Sequence, residues 1–487
     1  MSHPVGVPED AIVANYIGGQ WLTSSRPGES REPATGDVLG RFYDADVEQV
    51  DEAIRVARDV FTHHEWKDNR ELRATALFEL ATAFEHHRGE LVALLARENG
   101  KIVPEAEFEL SLVAPKLRYY AALALADTGR AAEARPGVFS MALRQPIGVA
   151  GVIVPWNSPV ILAVRSFAPA LAAGCTAVVK LPAQTALVNH AMARVVAEVA
   201  SLPAGVLNLF TESGDEGAKR LVQSDQVNVV SYTGSTQVGR KIMEAASASL
   251  KRLSLELGGK TPMIVFDDAD LDRVVPTLVK GITTFSGQFC MTGSRILVQA
   301  GIAAQVRERL ASALEKVVVG PGDDPASEMG PMIDMANARR VEAIVADAAP
   351  HAEVIVRGGP VEDGPLSRGA YHRPTLLGVD DIDSPLIQRE LFGPVATFEV
   401  FDDEADAVRR ANATEYGLAA SVWTAGGDRA LRVARELEAG TVWCNAWAVV
   451  LDQFEEGGFK QSGLGRLNGV RGLEEFQEIK HLVQVSG

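Results

Sequence analysis

Residues 149–155 read VAGVIVP, and from there extended and helical patterns alternate as far as residue 266. A helical run over 159–173 precedes TAVVKLP at 176–182, and one over 186–200 precedes GVLNLF at 205–210. A third, over 215–223, leads into VNVVSYTGS at 227–235. A fourth, over 235–246, leads into RLSLELGG at 252–259 and TPMIVF at 261–266. Such alternation predicts a parallel sheet covered by helices on both faces. In sheets of that kind ligands sit in the crevice at the carboxyl ends of the strands.

Toward the N-terminus, 138–154 reads as extended, with MALRQ and VAGVIV either side of Pro146-Ile147-Gly148. Residues 46–126 carry helical periodicity, for example Leu72, Ala76, Leu77 and Leu80, and 15–42 reads as a short hairpin arm turning at Ala34-Thr35-Gly36-Asp37. Toward the C-terminus a second strand–helix series is expected. It comprises SRILVQ at 294–299, helix 302–315, EVIVRGG at 353–359, PVATFEVF at 394–401, helix 404–412, AASVWT at 419–424, helix 428–438 and GTVWCN at 440–445. The last strand, IKHLVQV at 479–485, has no evident partner within the chain, which predicts pairing across a subunit interface.

Composition narrows the function classes. The 487 residues are 47% hydrophobic, enough for two or three cored domains. A formal net charge of −17 leaves no basic stripe for nucleic acid and no polybasic membrane anchor. Cys175, Cys290 and Cys444 are few, odd in number and widely spaced, as expected in a reducing cytoplasm. No CxxC or HxxxH spacing offers a metal site. The N-terminus MSHPVGVPED has neither the basic nor the apolar region of an export signal, and the apolar stretch 160–179 divides into a buried helix and a strand rather than a membrane span.

Several residues are candidates for chemistry. In GITTFSGQFCMTGSRILVQ at 281–299, Cys290 follows a glycine-containing turn and reads either as a nucleophile or as a small buried side chain. Glu256 lies between two leucines at a strand end; desolvation would raise its pKa toward that of a general base, unless it pairs with Lys260. Asn157, on the turn Pro155-Trp156-Asn157-Ser158-Pro159, can offer an amide to an oxyanion or serve only its own turn. Gly234-Ser235 opens a helix whose free N–H groups suit a phosphate, or is plain capping. Lys180, at a strand's carboxyl end, can hold a ribose or phosphate or simply point to solvent.

Together these residues resemble the aldehyde dehydrogenase family. The likeness runs from about Tyr16 to Val485 and rests on EPATGDVLG at 32–40, PWN at 155–157, YTGS at 232–235, LELGGK at 255–260, GQFC at 287–290, ELFGP at 390–394 and GGFKQSGLGR at 457–466, in that order. The resemblance implies an α/β chain with a Rossmann-like dinucleotide-binding domain (1–125 and 147–256), an α/β catalytic domain (257–456) and a small β oligomerisation arm (126–146 and 457–487). It implies NAD(P)-dependent oxidation of an aldehyde by a cytoplasmic homodimer or homotetramer. Cys290 would be the nucleophile, Asn157 with the Cys290 N–H the oxyanion hole, and Glu256 the base that hydrolyses the thioester. The cofactor would lie along Ile153, Pro155, Trp156, Lys180, Ala183, Gly234, Ser235, Val238, Leu257, Glu390 and Phe392. Branches that acylate CoA generally lack the base, and a non-catalytic relative would be expected to lose Cys290 or Glu256; both are present.

Two departures from the family pattern matter. The carboxylate usual three residues after the strand-end lysine is Ala183 here, which removes a contact to NAD and a repulsion of NADP. In the substrate tunnel, where Phe289, Trp447 and Val450 are expected, a usual aromatic is replaced by Arg165, Ser158 stands for a bulkier residue, and Glu455-Glu456 replaces an apolar pair. Arg165 suits a carboxylate or phenolic aldehyde and Glu456 an amino aldehyde, unless the two neutralise each other.

Overall fold

Five parallel strands form the centre of the first sheet, in the order Arg252–Glu256, Val229–Thr233, Val149–Ile153, Thr176–Pro182, Leu207–Glu212. The structure, a computed structural model, describes residues 12–348 and 351–486; the N-terminal decapeptide read above for an export signal lies outside them. The first strand in sequence is central. The next two extend to one side, and the chain then crosses back to build the other. That reversal puts a topological switch point between Val149–Ile153 and Val229–Thr233, where a crevice opens beyond the strand ends. The Pro155-Trp156-Asn157 turn leaves one strand at that place, and Gly234-Ser235 leaves the other. Gly463–Leu464 adds antiparallel at one edge and the hairpin Asn15–Ile17/Gln20–Leu22 at the other.

Apolar side chains cover both faces of this sheet. Every residue of helix Pro159–Ala173 is buried, Arg165 included. The hairpin arm divides: Pro27–Arg31 and Val38–Tyr43 leave the main sheet and pair with each other, and Ile12–Val13 joins them. A second sheet runs Glu353–Val356, Thr375–Gly378, Val395–Phe401, Arg295–Gln299, Pro262–Val265, Ala419–Trp423, Thr441–Cys444, parallel apart from its first strand. The stretch 160–179 falls into helix and strand as expected, and no helix among the described residues is long and apolar enough to cross a membrane.

The expectation that residues 479–485 lack a partner in the chain is corrected. Gln477–Val485 pairs antiparallel with Val138–Pro146 along its whole length, from Gln477 opposite Pro146 to Val485 opposite Val138, and Arg130–Arg135 forms the third strand. The partner lies far back in sequence, and local pattern carries no signal for so long-range a pairing.

Candidate active site

Cys290 sits beyond an unusual turn. Phe285, Ser286 and Gly287 all have positive φ, at 53°, 55° and 70°. Non-glycine residues enter that region at a cost of roughly 1–2 kcal/mol each, so the surroundings must hold them. Glu105 accepts from the Phe285 N–H at 2.7 Å, and the Ser286 hydroxyl donates to the carbonyl of Gly330 at 2.7 Å. Gln288 donates to the Phe285 carbonyl at 3.1 Å and accepts from the Ile333 N–H at 3.0 Å. At Gly287 only glycine fits, because a Cβ would lie 2.1 Å from the Gly393 backbone.

A buried Lys101–Glu109 ion pair braces the same region. The Lys101 ammonium lies 3.9 Å from the Phe285 ring centroid and donates to the Ser158 hydroxyl at 3.1 Å. Glu109 accepts from the N–H groups of Val160 and Ile161 at the start of helix Pro159–Ala173, at 2.9 and 3.2 Å. The turns bearing Asn157 and Cys290 are therefore held from one helix, Val103–Ser111.

The Asn157 amide is buried and donates to the Gln288 carbonyl at 3.1 Å, two residues before Cys290. Its second amide hydrogen remains for an oxyanion. Glu256 ends its strand buried, with Oε1 making no hydrogen bond. Burial pushes its pKa up to about 8; Arg165 opposes the shift and Glu456 adds to it. The ion pair with Lys260 that the sequence allowed does not form: the Lys260 ammonium is itself buried without a partner, and burial lowers its pKa to about 7. Paired glycines explain how this strand end meets the other groups. A Cβ at Gly259 would lie 2.5 Å from the Cys290 carbonyl oxygen, and one at Gly258 would lie 2.4 Å from a Glu390 carboxylate oxygen.

The Cys290 thiol is half-buried, and burial pushes its pKa up to about 12. Arg165 pulls it back, while Glu456, Glu390 and Glu256 push it further. A thiol so raised carries its proton at neutral pH and could act on an electrophile only by losing it. Phe289 and Trp447 pack beside Cys290, with ring centroids 6.0 Å apart, and the Trp447 N–H donates to the Met291 carbonyl at 3.0 Å. Val450 is half-buried on the loop past Trp447. Arg165 and Glu456 are paired at 3.2 Å, so the two tunnel charges face each other rather than stand free.

The remaining positions fall along the crevice. Ile153 and Leu257 are buried, and Pro155 and Trp156 are half-buried. The Trp156 ring meets Phe392 edge-on at 5.5 Å, and its carbonyl accepts from Asn99 at 2.7 Å. Ser235 is exposed and caps helix Thr236–Ala246 by accepting from the Val238 N–H at 3.4 Å. Gly234 is half-buried and Val238 exposed. Lys180 stands at its strand's carboxyl end with burial lowering its pKa, and Ala183 begins the next turn. Glu390 accepts from the Gly259 N–H at 3.2 Å, and burial pushes it up to about 7.

A family model described as "Aldehyde dehydrogenase family" matches residues 21–482. The chain belongs to the aldehyde dehydrogenase family. It is 36% identical over 478 residues to betaine aldehyde dehydrogenase of Bacillus subtilis, covering 96% of each chain. It is 38% identical over 478 residues to phenylacetaldehyde dehydrogenase of Pseudomonas fluorescens, covering 96% of this chain and 95% of that one. Among solved structures, betaine aldehyde dehydrogenase from Staphylococcus aureus in complex with NAD+ superposes with a TM-score of 0.94 at 34% identity, covering 97% of this chain and 95% of that one. This aldehyde dehydrogenase is an oxidoreductase acting on aldehydes.

Sequence reasoning missed Lys101, Glu105 and Glu109, which hold the turns bearing Asn157 and Cys290. A signal existed: Glu105 and Glu109 stand one turn apart on a helix whose neighbouring positions are largely apolar. It also missed Thr233 and Asn468, the other hydrogen-bond partners of Arg165 and Glu456. For the oxyanion role, Asn157→Ala is expected to lower kcat by roughly 10²–10³-fold, the usual worth of one such donor. Steady-state kinetics make the check, with thermal melting as a control for the modest loss of stability expected from the orphaned Gln288 carbonyl, and a wild-type rate would remove Asn157 from the chemistry.

Proposed function

We propose that this aldehyde dehydrogenase oxidises an uncharged aldehyde to its acid through a covalent adduct on Cys290, hydrolysed with Glu256 as base. The observation that carries the reading is the meeting, at one strand end, of a half-buried thiol, a buried carboxylate with a free oxygen and an asparagine amide. The Cys290 sulfur bonds to the aldehyde carbon as its proton passes to water. The electron pair of the C=O bond moves to oxygen, which the Asn157 amide and the Cys290 N–H stabilise. Loss of that carbon's hydrogen as hydride, to the acceptor that bound NAD(P) would supply, would restore the C=O and leave a thioester. Water then adds to its carbon, giving its proton to the Glu256 carboxylate, and the C–S bond breaks to release the acid and return the sulfur as thiolate. The presence of that base supports hydrolysis over transfer to CoA.

The crevice fits NAD or NADP. Lys180 offers a cation at a strand end, Ser235 an open helix N-terminus, and Glu390 a carboxylate beside the Gly258-Gly259 approach. Likeness to the NAD+ complex of the Staphylococcus aureus relative supports the same reading. Lys180 and Ser235 would hold the ribose and pyrophosphate of the adenosine end, Glu390 and Phe392 the nicotinamide end. When bound, NAD(P) supplies the acceptor for the aldehyde hydride. Three free cysteines support a cytoplasmic setting. The exposed Ile479, Val483 and Val485 on an edge strand support a homodimer or homotetramer formed through the 126–146 and 457–487 arm, which sedimentation at micromolar concentration tests.

Because Arg165 and Glu456 neutralise each other, and Phe289 and Trp447 supply the walls beside Cys290, neutral aromatic or aliphatic aldehydes should be the best substrates. The decisive experiment follows NAD(P)H formation over neutral, amino and carboxy aldehydes with both cofactors. Neutral aldehydes are expected to lead, with kcat/KM for NAD and NADP within a hundredfold because Ala183 presents no carboxylate. A hundredfold NAD preference would overturn the cofactor reading, a charged substrate favoured tenfold would overturn the substrate reading, and no activity at all would overturn the function.

A further inference from the structure

We propose that Arg165 and Glu456 form a positioning pair for Glu256, in which the guanidinium favours the carboxylate while water attacks the thioester and Glu456 anchors and moderates it. The inference rests on Glu256 being the hydrolytic base. Arg165 lies midway along a fully buried helix, with Nη1 donating to Glu456 at 3.2 Å and Nη2 to the Thr233 hydroxyl at 3.2 Å. Thr233 is the register partner of Glu256 in the parallel pair, and adjacent strands lie about 4.8 Å apart. The guanidinium is thus carried one strand from the base. On the other side Glu456 is followed by Gly457, where a Cβ would lie 3.0 Å from Glu256 Oε1.

The pair is itself pinned. Glu456 accepts from the Asn468 amide at 3.0 Å, Asn468 accepts from the Lys116 ammonium at 2.6 Å, and Lys116 pairs with the half-buried Asp452 at 2.5 Å. Two cations and two anions balance along this line, leaving no net charge for a substrate. A buried ion pair is weak ground for stability, since apolar side chains of similar volume often do as well. Its electrostatic effect on the base is direct. Arg165 lowers the Glu256 pKa against the upward push of burial, Glu456 raises it, and Arg466 and Glu475 act more weakly in opposite senses. Cys290 feels the same two groups, again with opposite signs.

The test measures single-turnover decay of the acyl-enzyme against pH, by acid quench and mass spectrometry of the intact protein, in Arg165→Gln, Arg165→Lys, Glu456→Gln and the Arg165→Gln/Glu456→Gln double variant. Removing the cation should move the midpoint of the rising limb up by about one pH unit, a tenfold change in the ionisation constant of the base. Glu456→Gln should move it down, and Arg165→Lys and the double variant should fall near wild type. Opposite shifts are something a merely structural role would not produce. Unshifted limbs, shifts of one sign, or a change confined to KM for carboxylate-bearing aldehydes would overturn the proposal. Should Arg165→Gln fail to fold, Glu456→Gln and Arg165→Lys still decide it. A wild type that forms no acyl-enzyme would instead defeat the assignment of function.

Discussion

Cys290→Ala is expected to leave less than a thousandth of wild-type aldehyde oxidation while the protein still folds and binds its cofactor. The substitution removes one sulfur from a half-buried position and nothing that holds the turn. The Phe285 N–H, the Ser286 hydroxyl and the Gln288 amide keep their partners. Without the sulfur no covalent adduct forms, and no neighbouring group can replace it. Cys175 is fully buried, with its pKa pushed up to about 11 by burial and its thiol on the Phe476 carbonyl. Cys444 lies at the end of strand Thr441–Cys444, with its thiol near the Ala430 carbonyl. Steady-state NAD(P)H formation, with cofactor titration and thermal melting as controls, measures the effect; residual turnover above a thousandth sinks the nucleophile assignment.

Glu256→Gln should separate the two halves of the reaction. The amide keeps the shape of the side chain but cannot take a proton from water, so a burst of NAD(P)H near one per active site should precede a stalled steady state. Wild-type hydrolysis should gain with pH through about 8, where Glu256 loses its proton and becomes a base. The variant should show no such limb. Stopped-flow absorbance over a pH series makes the comparison, and ordinary turnover by the amide variant would refute the role.

Much of this site could be read before any coordinates. The strand and helix alternation from 149 to 266 gave the sheet, and helix Pro159–Ala173 begins and ends where its apolar periodicity does. Asn157 and Glu256 lie at the carboxyl ends of strands of the first sheet, and the turn before strand Arg295–Gln299 of the second sheet brings Cys290 beside them, with the Gln288 carbonyl on the Asn157 amide and the Cys290 carbonyl against Gly259. What stayed hidden depends on contacts distant in sequence. Nothing in IKHLVQV points to residues 138–146. The left-handed backbone at Phe285 and Ser286 has no local signal either, since both are ordinary L-residues forced there by Glu105, Gly330 and Pro331. For Arg165 and Glu456 the residue types could be read but not their mutual choice; only the fold brings helix and loop together.

The lone oxygen of Glu256 has a thermodynamic side as well. A carboxyl whose pKa is higher in the native state than in the unfolded chain helps folding in acid, and that help drains away as pH climbs from about 4.5 toward 8. Near neutral pH the fold is therefore less stable than it would be with an uncharged side chain at that position. The glutamine variant made to stall the chemistry should accordingly gain in melting temperature over wild type, by a margin that widens between pH 5 and pH 8.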